Sequence, residues 1–107
     1  MGDRHSQIHG VAGEIHRAFH PHRIVLCGSY AYGRPTKDSD VDFVVIMKTR
    51  KRNMRQALDI STAISHPFPM DLIVLKPGEA RRRIRGGDLV LKEMLARGKV
   101  LHEGRHH

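Results

Sequence analysis

Three aspartates stand where a carboxylate is hard to explain by packing. Asp40 and Asp42 flank Val41 and lead into the apolar run Phe43-Val44-Val45-Ile46. Strand side chains alternate between faces, so Asp40 and Asp42 point one way and Val41 the other. Two carboxylates side by side at a strand edge repel unless a cation sits between them. Asp71 lies between Met70 and Leu72 at the head of a second apolar run. Alone it reads as an acid exposed at a strand mouth. Beside Asp40 and Asp42 on a neighbouring strand it reads as a metal ligand. Three converging carboxylates suit Mg²⁺, which takes hard oxygen ligands and keeps waters while binding substrate phosphates. Two ions about 3.5–4 Å apart would hold a triphosphate, lower the pKa of an attacking hydroxyl and stabilise the leaving oxygen. In that arrangement Asp40 and Asp42 bridge both ions, while Asp71 supports the catalytic ion and accepts the nucleophile's proton. Calcium-loop and zinc sites fit poorly, since the chain has neither a dense acidic loop nor a Cys/His set.

The second candidate feature precedes the acids. Gly28-Ser29 ends the run Ile24-Val25-Leu26-Cys27. Gly28 lets the backbone approach a ligand closely, and Ser29 offers a hydroxyl beside amides that can open toward phosphate oxygens. Gly33 permits another tight turn, and Arg34 and Lys37 add positive charge. A glycine-serine turn by itself is common. Followed at this distance by Ser39-Asp40-Val41-Asp42, it is far less ordinary. Tyr30 and Tyr32 either pack against a base or fill the underside of the loop. Cys27 reads as a small buried residue rather than a nucleophile.

The elements that must position these residues follow from periodicity. Apolar positions at Ile8, Val11, Ala12, Ile15, Ala18 and Phe19 predict an amphipathic helix over Ile8–Phe19, ended by His20-Pro21. Strands are expected at Arg23–Cys27, Val41–Met47 and Met70–Leu75, the second buried on both faces. A helical turn is expected over Ser29–Gly33. A helix near Asn53–Ser65 is expected to turn Met54, Ala57, Leu58 and Ile64 inward and to stop at His66-Pro67-Phe68-Pro69. Glu79–Arg85 reads as a short basic helix, and Asp88 as the cap of a helix over Leu89–Ala96 stopped by Gly98. Lys99–His102 adds a last short strand. The helix between the second and third strands permits a parallel crossover, whereas the relative direction of the first two is undecided by pattern. The expected fold is α/β (α+β), with a mixed sheet of about three to five strands and helices mainly on one face. Residues 1–107 read as one domain with its catalytic core at Ile24–Leu75 and flexible ends at 1–6 and 103–107.

Composition narrows the partners. The 107 residues are 39% hydrophobic, which fits a globular domain. No apolar run approaches the roughly 20 residues of a membrane span, so no membrane role is expected. One cysteine implies no disulfide framework, and a reducing cytoplasm is the simplest setting. The net charge of +8 favours anionic partners: nucleotides, nucleic acid or an acidic protein surface. The nine histidines show no zinc spacing, and the terminal His106-His107 pair is weak evidence for metal. Arg81-Arg82-Arg83-Ile84-Arg85 reads either as a solvated helix face or as an electrostatic dock. With two tyrosines, three phenylalanines and no tryptophan, there is little to stack on bases, so direct nucleic-acid binding is the weaker reading.

Gly28-Ser29, Gly33, Ser39-Asp40-Val41-Asp42 and Met70-Asp71-Leu72 together resemble the nucleotidyltransferase superfamily that includes DNA polymerase beta. The chain more closely resembles its minimal nucleotidyltransferases, the MNT proteins, over nearly its whole length, including the ending Gly98–Glu103. The resemblance implies Asp40, Asp42 and Asp71 as catalytic and Mg²⁺-binding acids. It implies Gly28 and Ser29, with Gly33, Arg34 and Ser39, as the nucleotide grip. It further implies transfer of AMP from ATP to a hydroxyl with release of pyrophosphate. Minimal members commonly accompany a small all-helical HEPN toxin, and some act as antitoxins by adenylylating a tyrosine of that partner, as in type VII-like pairs. One departure is Tyr32, which stands before Gly33 where many such antitoxins carry arginine; Arg34 is next door.

The leading reading is therefore a Mg²⁺-dependent protein adenylyltransferase paired with a HEPN-type toxin. The acceptor surface is expected to come from a partner or a homo-oligomer, since the catalytic core takes up most of the chain. Two others compete: transfer to a small molecule or an RNA end, and a toxin-neutralising module that binds without transfer. The intact set of three acids favours catalysis.

Overall fold

The branched apolar runs become strands and the amphipathic stretches become helices around one mixed sheet in the computed structural model, which describes residues 3–104. Met1, Gly2 and residues 105–107 lie outside the described residues, and with them His106-His107 and the outer parts of both ends expected to be flexible.

Helix α1 spans Arg4–Phe19 and starts ahead of the apolar periodicity. The Asp3 side chain accepts a hydrogen bond from the Ser6 amide at 2.8 Å, so capping rather than burial sets its first turn. Arg4–Ser6, expected to be loose, is therefore helical. His20 ends the helix in the left-handed region (φ 50°), its amide bonded to the His16 carbonyl, and Pro21 follows.

Strand β1 (Arg23–Cys27) leads into the single-turn helix α2 (Ser29–Tyr32), and a polar loop leads to β2 (Val41–Ile46). Helix α3 (Asn53–Ala63) carries the chain to β3 (Met70–Leu75). Helices α4 (Glu79–Arg85) and α5 (Leu89–Arg97) precede β4 (Lys99–Glu103). Asp88 caps α5 as expected, accepting from the Leu91 amide at 3.0 Å. Glu103, expected in a flexible tail, belongs to β4 and bonds to Arg23 at 2.9 Å. Among the described residues, no helix is long and apolar enough to cross a membrane.

The sheet order is β3-β2-β1-β4. Strand β1 is antiparallel to both its neighbours, whereas β2 and β3 are parallel, joined through α3. The end of β1 and the beginnings of β2 and β3 therefore meet at one edge of the sheet, where the candidate site residues lie.

Alternation along the strands divides the core. Ile24, Leu26, Phe43, Val45 and Val74 pack with Ile8, Val11 and Ile15 of α1 and Ile60 of α3. Val25, Cys27, Val44 and Leu75 pack with Ala80 of α4 and Leu91 of α5. The larger layer is on the α1/α3 face, and α4 and α5 cover the other. Strand β2, buried on both faces, is the shared wall.

Helix α3 meets half of the expectation: Ile64 is buried and Ala57 packs against the core, whereas Met54 and Leu58 do not turn inward. Gln56, Ile60 and Ile64 face inward at four-residue spacing, and Met54 and Leu58 are 87% and 57% exposed. The polar inward residue is satisfied locally, because Gln56 Oε1 accepts from the Thr49 hydroxyl at 2.7 Å. A buried amide with a partner costs little, so the phase that buries Ile60 beside Ile64 wins over the one that would bury Met54 and Leu58.

Glu79, at the start of α4, ties three elements together. It accepts from the Lys76 amide at 3.0 Å and from Asn53 Nδ2 at 2.9 Å. The Lys76 amide bond first, then Asn53 and nearby positive charge, hold its carboxyl below the usual carboxylate range against the opposing effect of burial. A depressed pKa means that the carboxylate stabilises the fold above its unfolded pKa and stops doing so as pH falls through the folded value. Glu79→Gln is expected to lower stability by about 1–2 kcal/mol at pH 7. Urea melts should show that gap closing below the carboxylate range.

Candidate active site

The edge of the sheet is built by register. Asp42 stands opposite Cys27 of β1 on one side and opposite Asp71 of β3 on the other. With period-two alternation, Asp42 and Asp71 share the face of the sheet that carries Cys27, Val44 and Leu75. Asp42 is half-buried, while Asp40 and Asp71 are exposed. Burial first, then the charges of Asp71 and Asp40, raise the Asp42 carboxyl above the ordinary carboxylate range, and a hydrogen bond with Asp71 adds to the shift. Asp42 and Asp71 thus face each other across the pairing of β2 and β3, and Asp40 is near enough for its charge to act on Asp42.

Gly28 makes this approach possible. Its backbone (φ 71°, ψ −161°) lies in a region essentially reserved for glycine. The Asp42 carboxylate occupies the space where a Cβ would stand, with its Cγ only 3.1 Å from that position. The turn therefore sets Gly28 directly against Asp42. Ser29 begins α2, and the Gly28 carbonyl accepts from the Ala31 and Tyr32 amides at 2.9 and 3.2 Å.

The remaining expected residues separate into two groups. Gly33 packs against Ser29, its Cβ position 3.1 Å from the Ser29 Cα. Its φ of −121° is ordinary extended backbone, so close contact rather than a tight turn explains the glycine. Ser39 accepts from the Thr36 amide at 2.9 Å, which holds the loop before Asp40. Arg34 and Lys37 are exposed on that loop. The two tyrosines also part. Tyr30 is 8% exposed under the loop, and its hydroxyl lies 3.5 Å from the Thr36 carbonyl. Tyr32 is 37% exposed, with the Arg97 guanidinium 4.1 Å above its ring. Arg97 had no local signal, since an arginine before Gly98 reads as a helix stop.

Cys27 is buried, and burial followed by the Asp42 charge pushes its thiol up to about 11. Its thiolate is thus scarce at neutral pH, in keeping with a packing role.

Whether these residues suit a divalent ion can be judged from their chemistry. The donors are carboxylate oxygens, and none of Asp40, Asp42 and Asp71 forms an ion pair with a basic side chain among the described residues. Burial first and like charges second raise the Asp42 pKa, and a cation would relieve the second of these. Among the described residues, no three His, Cys, Asp or Glu side chains close into a ready-made metal cage. Mg²⁺ can bind through one or two carboxylates with water and phosphate completing its shell, and the register-paired Asp42 and Asp71 are the carboxylates that could serve it.

The sign of the Asp42 shift gives a measurable result. A raised carboxylate pKa means that the folded state holds the proton more tightly than the unfolded chain. Its contribution to stability therefore falls as pH rises from the unfolded value through the folded one. Millimolar Mg²⁺ is expected to raise the melting temperature at pH 7.5, where the carboxylates are charged. The rise should vanish near pH 4 in a thermal-shift series.

No curated protein matches the chain. A chain of the crystal structure of the toxin–antitoxin MntA–HpeT, in mutant form, is similar in fold with a TM-score of 0.58 at 20% identity. That likeness covers 91% of this chain and 74% of the other. Residues 9–97 match the sequence model described as a nucleotidyltransferase domain, a span from α1 through Arg97 that includes all three aspartates. The chain belongs to the nucleotidyltransferase domain family.

Proposed function

We propose that the chain is a Mg²⁺-dependent nucleotidyltransferase that moves AMP from ATP to a hydroxyl of a partner protein. The observation that carries this reading is the register that sets Asp42 against both Gly28 and Asp71 at one sheet edge. Family membership supplies the reaction class.

In this reading Asp40, Asp42 and Asp71 hold one or two Mg²⁺ ions, which supply charge neutralisation and an activated acceptor hydroxyl when bound. The Gly28-Ser29 turn binds the triphosphate beside them. The acceptor oxygen attacks the α-phosphorus, the bond from that phosphorus to pyrophosphate breaks, and the hydroxyl proton passes to Asp71. Asp71 suits that task because it is exposed at the strand mouth. Half-buried Asp42 is better placed to orient than to exchange protons with solvent.

The partner in this proposal is a small, all-helical HEPN-type toxin, and the acceptor is one of its tyrosines. Likeness in fold to a chain of a toxin–antitoxin complex supports it. The chain then acts as the antitoxin. Incubation with labelled ATP, Mg²⁺ and the candidate toxin should place label on the toxin, and Asp40→Ala should remove it. An unlabelled toxin that Asp40→Ala still neutralises would leave the chain a binding module instead. Label appearing on a small molecule or an RNA end would move the acceptor there.

A further inference from the structure

A cation from the far end of the chain lies over the ring of Tyr32, in the helical turn that follows Gly28. Arg97 is the last residue of α5, which packs on the face of the sheet shared by Cys27 and Asp42. The contact there is close. The Cys27 thiol lies 3.6 Å from the Met94 carbonyl, about one helical turn before Arg97. Gly98 follows, where a Cβ would stand 3.0 Å from the Leu26 carbonyl and 2.5 Å from Val25 Cγ1. The backbone around Arg97 is thereby fixed against the end of β1.

Its side chain is directed by Tyr32. The guanidinium carbon lies 4.1 Å from the Tyr32 ring centroid, within cation–π range. Tyr32 is itself anchored at the turn, its amide bonded to the Gly28 carbonyl. Arg97 also meets Glu93 at 3.5 Å, but both side chains are about half exposed or more, and such a pair is weak. A guanidinium placed over an aromatic ring uses its face for that contact. Arg97 Nη1 donates to Glu93 at 3.5 Å, and the remaining guanidinium N–H groups are left for an anion.

Charge makes this cation consequential. Asp40, Asp42 and Asp71 put negative charge at one end of the sheet, which repels phosphates wherever a cation does not screen it. Arg34 and Lys37 lie on an exposed loop, and ordering a loop cation on binding loses entropy. Arg97 is already held by α5 and Tyr32.

We propose that Arg97, positioned by Tyr32, is the side chain that grips the outer phosphates of the nucleotide at the Gly28-Ser29 turn. This rests on the nucleotidyltransferase reading and adds a residue to it. Tyr32 is the positioning residue, and the ligand class is a nucleoside triphosphate rather than a monophosphate.

Calorimetric titration of the full chain with Mg·ATP and with AMP tests this directly. Arg97→Ala is expected to weaken Mg·ATP binding by roughly 10- to 100-fold, the scale of one charge-assisted bidentate contact, and AMP binding by less than about twofold. Arg97→Met keeps the aliphatic stem and serves if the alanine variant does not fold. Tyr32→Leu should weaken Mg·ATP binding by roughly three- to tenfold, and Tyr32→Phe should recover most of that loss. Combined with Arg97→Ala, Tyr32→Leu should add nothing, because the contact it positions is gone. Unchanged Mg·ATP affinity in Arg97→Ala overturns the proposal while leaving the transferase reading intact. Equal losses for ATP and AMP also overturn it, since the contact would then lie with the base, the sugar or the fold. A wild-type chain that binds no nucleotide overturns both.

Discussion

Asp42→Asn is expected to lower nucleotidyl transfer roughly 10³-fold or more without lowering the melting temperature. The two effects separate because Asp42 serves charge rather than packing. Its side chain is half-buried at the head of β2, and the residues that hold the strand are Val41, Phe43, Val44 and Val45, all buried. Asparagine keeps the shape and removes the negative charge that faces Asp71 and Asp40. Burial and then the charges of Asp71 and Asp40 oppose ionisation of Asp42 and raise its pKa. Removing that charge should leave the protein equally stable or more so at neutral pH, and less responsive to Mg²⁺ in thermal shift. Turnover at the wild-type rate with that stability would remove Asp42 from the metal site. A large fall in melting temperature would instead show Asp42 to be structural.

Gly28→Ala should damage both stability and turnover. An alanine at φ 71°, ψ −161° carries strain of about 1–3 kcal/mol. For a domain of this size that corresponds to a melting temperature lower by roughly 5–15 °C. The new methyl would also occupy the place of the Asp42 carboxylate, which must then rotate away. A displacement of about 1 Å at a reacting centre costs roughly 10²-fold in rate. Turnover measured well below the variant's melting point separates the two effects. Wild-type turnover in a folded Gly28→Ala protein would show that the turn does not position the acids.

The two substitutions probe one contact from opposite sides. Asp42→Asn removes the charge and keeps the shape, and Gly28→Ala keeps the charge and removes its room. If the contact between turn and carboxylate organises the site, the double variant should be no slower than the worse single variant.

Local chemistry made much of this protein legible in its sequence. The bounds of β1 and β3 follow from short branched apolar runs, the first stopped by Gly28. The end of α1 follows from the proline after His20, and the start of α5 from the Asp88 cap. Gly28, Ser29, Asp40, Asp42 and Asp71 were conspicuous because acids and glycines interrupt apolar runs at strand ends, where burial alone gives no reason for them. Such signals are written within a few residues of the structure they specify.

Only the tertiary structure decided what depends on one element meeting another. The antiparallel pairing of β1 with β2 brings Cys27 opposite Asp42, and the parallel pairing of β2 with β3 brings Asp71 there. The phase of α3 depended on a hydroxyl at Thr49 to satisfy Gln56, so Met54 and Leu58 turned outward. The fates of Tyr30 and Tyr32 depended on which lay under the loop and which under Arg97. Arg97 stands sixty-five residues beyond Tyr32 in the chain, and its contact has no local pattern. Periodicity and turn chemistry act between near neighbours, so they specify elements; packing and charge act across space, so they decided that Asp42 meets Gly28 and Asp71 and that Arg97 meets Tyr32.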